Sequence, residues 1–206
     1  DSINNSFKFL NKEKKFPKNN IDWNFSNFGK LWTYNLNYFD YLNQTLISKE
    51  NGIRLINQYI DFYPSQKDGS EPYPISLRSM NWVKFLSKNK INDNRINHFL
   101  FRDCVFLYEN IEYHLLGNHL LENAFALLFS SYYFQNDKFY MKSKNILTKE
   151  LNEQILFDGG HFELSPMYHQ IMLFRILDCI QLIKLNNWKN DKLLILLKLV
   201  SSKMLS

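Results

Sequence analysis

Twelve residues from Asp158 to His169 hold two carboxylates, two imidazoles and a phenol: Asp158, Glu163, His161, His169 and Tyr168. Such a set can move protons. Ser165-Pro166 reads as a helix start, with serine at the N-cap and proline at the first helical position. Tyr168 then falls in the first turn, where the partial positive charge of the helix end eases loss of the phenolic proton. A tyrosine so placed could act as general base, general acid, or each in turn. His169 is a further acid–base candidate, and His161 and Glu163 are candidate substrate contacts. The competing reading has Asp158 closing a turn, Glu163 in a salt bridge and Tyr168 packed.

A second run, Glu112 to Ala124, contains Gly117-Asn118-His119 and Asn123. The pattern predicts that Gly117 ends one helix and that Asn118 caps the next. His119 and Asn123 are four apart and share a helix face. Amides and an imidazole at a helix start are suited to neutralising an acid group. The alternative is that Asn118 only caps and His119 is a satisfied, half-buried histidine. A third run, Glu71 to Trp82, gathers Tyr73, Arg78, Asn81 and Trp82. Arg78 could grip a carboxylate through two parallel hydrogen bonds. Otherwise Trp82 is core and Arg78 pairs with a local acid.

The rest of the chain narrows the chemistry. None of the three runs has the ligand spacing of a metal site, and there is no glycine-rich phosphate loop or nucleophile elbow. We expect no cofactor in this chain. The two cysteines, Cys104 and Cys179, lie in apolar helical patterns, which disfavours a disulfide scaffold. Lysine and arginine exceed aspartate and glutamate by 25 to 20, a formal charge of +5. That mild excess favours a polyanionic partner. Its one cluster, Lys12–Lys18, reads as a solvated face, and no basic helix face supports nucleic-acid binding. The longest apolar run, Leu193–Val200, contains Lys198 and is too short to span a bilayer. No signal segment is visible at Asp1, and the first residue reads as a cut or processed end.

These residues must be positioned by helices. With 45% hydrophobic residues but only 6 glycines and 5 prolines in 206, the chain reads as globular and not all-β. Residues 1–30 read as an irregular lead-in. From residue 31 to 206 the spacing predicts about eight helices in sequential antiparallel hairpins: 35–48, 53–62, 76–86, 95–116, 118–134, 138–155, 166–185 and 191–205. Gly52 punctuates the first pair, and Pro64 to Pro74 reads as a loop. The fold class is therefore all-α, a solenoid or a toroid of α-hairpins. The 34 aromatic residues belong either in a core or in a groove that stacks on something flat.

In order and spacing these motifs resemble the heparinase II/III family of polysaccharide lyases and its alginate-lyase-like relatives. The resemblance runs from Trp23 to Ile183. It rests on Leu31-Trp32-Thr33-Tyr34-Asn35-Leu36, Tyr73-Pro74-Ile75-Ser76-Leu77-Arg78 with Asn81-Trp82, Gly117-Asn118-His119, and Asp158-Gly159-Gly160-His161-Phe162-Glu163 leading into Ser165-Pro166-Met167-Tyr168-His169. It implies the incomplete α/α toroid that opens such enzymes, and cleavage of a uronic-acid-containing polysaccharide by β-elimination. It implies that Asn118 and His119 neutralise the substrate carboxylate and that Tyr168 handles protons.

The chemistry fits. The C5 proton of a uronate becomes acidic only when the adjacent carboxylate is neutralised and the enolate-like charge is held. If elimination is syn, one tyrosine can serve as both base and acid. If it is anti, a separate base is needed, and His119, His161 and His169 are candidates. Trp32, Tyr34, Tyr38, Tyr73 and Trp82 could stack on sugar rings. Family enzymes carry a β-sandwich after the toroid, which supplies further active-site residues and often a metal. This chain stops at Ser206 while still helical, so it is expected to be a fragment or truncated product. The family suggests a periplasmic or extracellular location. Three further readings remain open: a non-catalytic polysaccharide-binding module, a glycoside hydrolase using Asp158 and Glu163, and a nucleic-acid-binding protein.

Overall fold

A computed structural model describes residues 5–18, 20–115, 117–189 and 192–206. Among the described residues, eight α-helices and one two-stranded hairpin make up the regular structure: β1 Ser6–Phe9, β2 Lys12–Lys15, α1 Lys30–Tyr38, α2 Lys49–Phe62, α3 Pro72–Lys88, α4 Asn94–Glu109, α5 Asn118–Phe134, α6 Asp137–Gln154, α7 Pro166–Leu185 and α8 Lys192–Met204. The all-α class read from the sequence is what the structure shows. The chain divides into two compact units, Asp1–Phe106 and Leu107–Ser206.

The first unit has an aromatic core. Trp23, Trp32 and Trp82 are at most 1% exposed. Trp23 stacks on Phe39 at 5.1 Å, and Phe39 meets the edge of Trp82 at 5.3 Å. The rings therefore go largely into a core, each large ring removing apolar area from water at about 25 cal/mol per Å². The lead-in is not irregular throughout. β1 and β2 pair antiparallel with Phe7 opposite Lys14. Leu10 and Asn11 take φ of +52° and +61°, the two-residue turn geometry that matches strand twist. With no glycine in that turn, the hairpin left no signal in the sequence. Phe7 is 2% exposed, and Trp32 Nε1 donates to the Lys12 carbonyl at 3.0 Å.

Three helices in this unit differ from expectation for clear reasons. The helix expected over 35–48 is α1, which ends before Phe39 at φ +60° and gives way to a 3-10 turn at Asp40–Asn43. α3 begins at Pro72, not near Ser76, with Glu71 as N-cap. Pro72 and Pro74 both lie in its first turn. The first N–H groups of a helix have no partner within it, so proline loses nothing there. Gly52 lies inside α2 and does not break it. A Cβ there would stand 2.1 Å from Phe85 Cζ, so glycine lets the α3 side chain approach.

The second unit is built around α5, which is buried along Leu120–Tyr132 on nearly every face. α5 packs against α6 and α7, and α8 against α6 and α7. Ser143 Oγ on α6 donates to the Ala124 carbonyl on α5, and Tyr132 meets Tyr140 near the turn, so α5 and α6 are an antiparallel hairpin. Asn136 caps α6 by accepting from Phe139 N–H at 3.1 Å. Cys104 and Cys179 are buried, and neither is in a disulfide. No helix among the described residues is long and apolar enough to cross a membrane.

Candidate active site

The chemistry-bearing residues of the second unit gather where α5 and α7 begin. α4 ends at Glu109, and Gly117 is the N-cap of α5 at φ +81°. Asn118 is thus the first helical residue, not the cap that the sequence suggested, and its side chain is not used for capping. It is half-buried, and its amide makes no hydrogen bond among the described residues. The Asn118 backbone N–H donates to Glu163 Oε1 at 3.3 Å. A Cβ on residue 117 would lie 2.5 Å from that oxygen, so only glycine combines this φ with this approach. Glu163 itself is exposed.

Beside Asn118, His119 Nδ1 lies 3.5 Å from Glu112 Oε1. Asn123 is fully buried and holds Glu112 at two points: its Oδ1 accepts from Glu112 N–H at 3.0 Å, and its Nδ2 donates to Glu112 Oε2 at 2.9 Å. Asn123 was expected to touch substrate. In this chain it is buried, and its amide is taken up with Glu112. Sequence reasoning gave Glu112 no role, although its place five residues before Gly117 sets it in the turn that leads into α5.

The start of α7 is close by. Ser165 is the N-cap, Pro166 the first helical residue and Tyr168 in the first turn, as expected, although the Ser165 hydroxyl does not cap. The Tyr168 ring is half-exposed, and its hydroxyl has no hydrogen bond among the described residues. Asn118 reaches Glu163 ahead of α7, and Glu122 pairs with Arg175 at 2.9 Å further along, so α5 and α7 run in the same sense. Both helix starts therefore lie at one end of this unit.

His161 was expected at the substrate and is 1% exposed. Its Nε2 faces Gln154 Oε1 at 3.2 Å, and its Nδ1 accepts from the Glu163 N–H at 3.4 Å. Burial pushes its pKa below the ordinary 6.5, with His169 adding to the effect and the Glu163 carboxylate opposing it. His169 turns toward α8, where Nε2–H donates to the Met204 carbonyl at 3.1 Å, satisfying an orphan carbonyl of a helix end. Asp158 accepts from Gly160 N–H in its own turn at 2.9 Å. Among the described residues no three histidine, cysteine or acidic side chains gather to hold a metal ion.

Tyr73, Arg78, Asn81 and Trp82 belong to the first unit. Arg78 is 1% exposed; it donates to Asp103 Oδ2 at 3.1 and 2.7 Å and to the Gly69 carbonyl at 2.8 Å. Burial alone would lower its pKa, but Tyr59 and Asp103 hold it raised. Asn81 donates to the Tyr38 carbonyl at 2.9 Å, and Trp82, like Trp32, is fully buried. Arg78, Asn81 and Trp82 are thus core in this chain, as the alternative reading of Arg78 and Trp82 had it. Tyr73 is half-exposed, with its ring 6.1 Å from Tyr38, which lies 6.3 Å from Tyr34.

The sequence model described as Heparinase II/III N-terminus matches residues 74–193, more than half of the chain. The chain belongs to this heparinase II/III N-terminus family. It is similar to a heparin-sulfate lyase from Bacteroides stercoris, at 31% identity over 83 residues, which are 38% of this chain and 12% of that protein. Among solved structures it resembles heparan sulfate lyase HepC from Pedobacter heparinus, with a TM-score of 0.69 at 16% identity, over 99% of this chain and 36% of that one. It also resembles heparinase III, with a TM-score of 0.65 at 18% identity, over 92% of this chain and 31% of that one. These likenesses show the fold of helical hairpins that the family resemblance gives as an incomplete α/α toroid. The chain spans about a third of the solved relatives and about an eighth of the curated one.

Proposed function

We propose that this heparinase II/III N-terminus domain serves the cleavage of a uronic-acid-containing, sulfated glycosaminoglycan by β-elimination. Asn118 and His119 hold the substrate carboxylate, and Tyr168 exchanges protons with the sugar. One observation carries this reading: the Asn118 amide, unpaired among the described residues, heads α5 while Tyr168 heads the neighbouring α7, with Glu163 joining the two starts. The similarity to a heparin-sulfate lyase supports the substrate class.

In this mechanism the Asn118 amide donates to the uronate carboxylate at the positive end of α5. The charge that develops as the C5 proton leaves is spread into that carboxylate and held there. Losing one such donor typically costs about 10²–10³ in rate. The half-exposed Tyr168 can take the C5 proton and return one to the departing O4 oxygen. His119, next to Asn118 and braced on Glu112, adds a second donor to the carboxylate.

The test compares Tyr168→Phe and Asn118→Ala with the wild type on heparan sulfate. Tyr168→Phe is expected to abolish unsaturated product while the circular dichroism and heparan sulfate binding stay at wild-type values. Wild-type turnover by Tyr168→Phe would remove Tyr168 from the mechanism.

A further inference from the structure

Gln154 is the last residue of α6 and is 1% exposed. Its Nε2 donates to the Gly117 carbonyl at 3.2 Å and to Glu150 Oε2 at 3.0 Å. Its Oε1 faces His161 Nε2 at 3.2 Å, and its own carbonyl accepts from Phe162 N–H at 2.8 Å. The orientation of the amide follows from its partners. A carbonyl and a carboxylate can only accept, so the NH₂ must face them and the oxygen must face the imidazole. The imidazole then has to donate through Nε2–H, leaving Nδ1 as the acceptor that meets Glu163 N–H. A single neutral tautomer satisfies both contacts. A protonated ring would set Nδ1–H against the Glu163 N–H.

The chain of contacts does not end there. Glu163 N–H is fixed by His161, and Glu163 Oε1 accepts from Asn118 N–H at 3.3 Å. The His161 carbonyl accepts from Leu164 N–H at 2.9 Å, one residue before the Ser165 cap of α7. One buried amide thus fastens the turn that presents Asn118 and the segment that delivers Tyr168.

We infer that Gln154, acting through the imidazole of His161, is the positioning residue that sets the Asn118 turn and the Tyr168 helix start relative to each other. The inference rests on the proposed function only for what the two starts do. Their attachment to Gln154 is a matter of geometry. Neither residue touches substrate. A displacement of about 1 Å at such a pair is enough to cost about 10²-fold in turnover.

The experiment is nuclear magnetic resonance on the wild type and on Gln154→Leu, which keeps the volume and removes every polar contact of the side chain. In the wild type the His161 ring is expected to carry its proton on Nε2. A proton on Nδ1 would overturn the inference without any variant. In Gln154→Leu the Asn118 amide and Tyr168 ring resonances should move, while the Trp188 indole stays in place. On a polymer that the wild type cleaves, kcat should fall about 10²-fold with KM little changed. Unmoved Asn118 and Tyr168 resonances in the folded variant would contradict the inference. If Gln154→Leu does not fold, the same resonances are read in His161→Gln, which keeps a donor toward Gln154, and in His161→Leu, which does not. Wild-type positions in the first and displaced ones in the second are expected, and identical spectra would overturn the inference. A wild type inactive on every polymer would count against the proposed function alone, since the resonances report the positioning directly.

Discussion

Asn123 contributes to this site without facing it. Its amide occupies both the backbone N–H and the carboxylate of Glu112. Asn123→Ala leaves a buried carboxylate and a buried N–H without those partners. It should destabilise the chain by about 2–3 kcal/mol, read as a lower urea midpoint. An unchanged midpoint would mean that Glu112 finds other partners. His161 makes a second prediction at this scale. Its folded pKa lies below the ordinary 6.5, so the unfolded chain binds the proton more readily. The His161 contribution to stability should therefore be level above pH 6.5 and fall as the pH drops below it. The fall should be shallower in His161→Gln, and urea titrations at several pH values would show it. Parallel pH dependences in the two proteins would mean that His161 is not held neutral. The sequence showed that His161 and Asn123 were unusual, but not that they face inward. A polar residue that touches substrate and one that braces its neighbour look alike until burial is known.

The helix starts were the most legible elements. Ser165-Pro166 and Asn136-Asp137 marked α7 and α6 because capping chemistry is local. α5 starts one residue earlier than its sequence suggests, and the difference matters, because a capping Asn118 would have its side chain engaged. The long-range partner Glu163 settles the boundary by taking the Asn118 N–H. α3 was legible as a helix but not as a source of core ionic structure. Its Arg78 pairs with Asp103 on α4, and both are nearly inaccessible to solvent. Arg78→Ala should cost about 3 kcal/mol by leaving the buried Asp103 carboxylate to the solvent-exposed Arg102, which holds its Oδ1 at 3.2 Å, while Arg78→Met with Asp103→Leu should recover most of the loss. Thermal unfolding of the three proteins checks this. A stable Arg78→Ala with weakened polymer binding would instead return Arg78 to substrate contact.

At the scale of the whole chain, fold class and family were readable because the motifs fall in order along 160 residues and the apolar spacing is helical nearly throughout. The division into two compact units was not, since no linker composition marks the last turn of α4, where it falls. The N-terminal hairpin was hidden for a related reason: its strands are four residues each and are fixed by packing of Phe7 and the Lys12 carbonyl, not by a turn motif. The net charge of +5 complements a sulfated polymer but does not choose one. The central claim is the reaction itself. Ultraviolet absorbance followed while the purified chain is incubated with heparan sulfate, heparin, hyaluronan and alginate tests it most directly, because elimination creates a C4=C5 double bond conjugated to the carboxylate. The account predicts a rise with a sulfated glycosaminoglycan that is absent in Tyr168→Phe. A flat trace with every polymer from the folded chain, or cleavage that yields only saturated sugars, would contradict it.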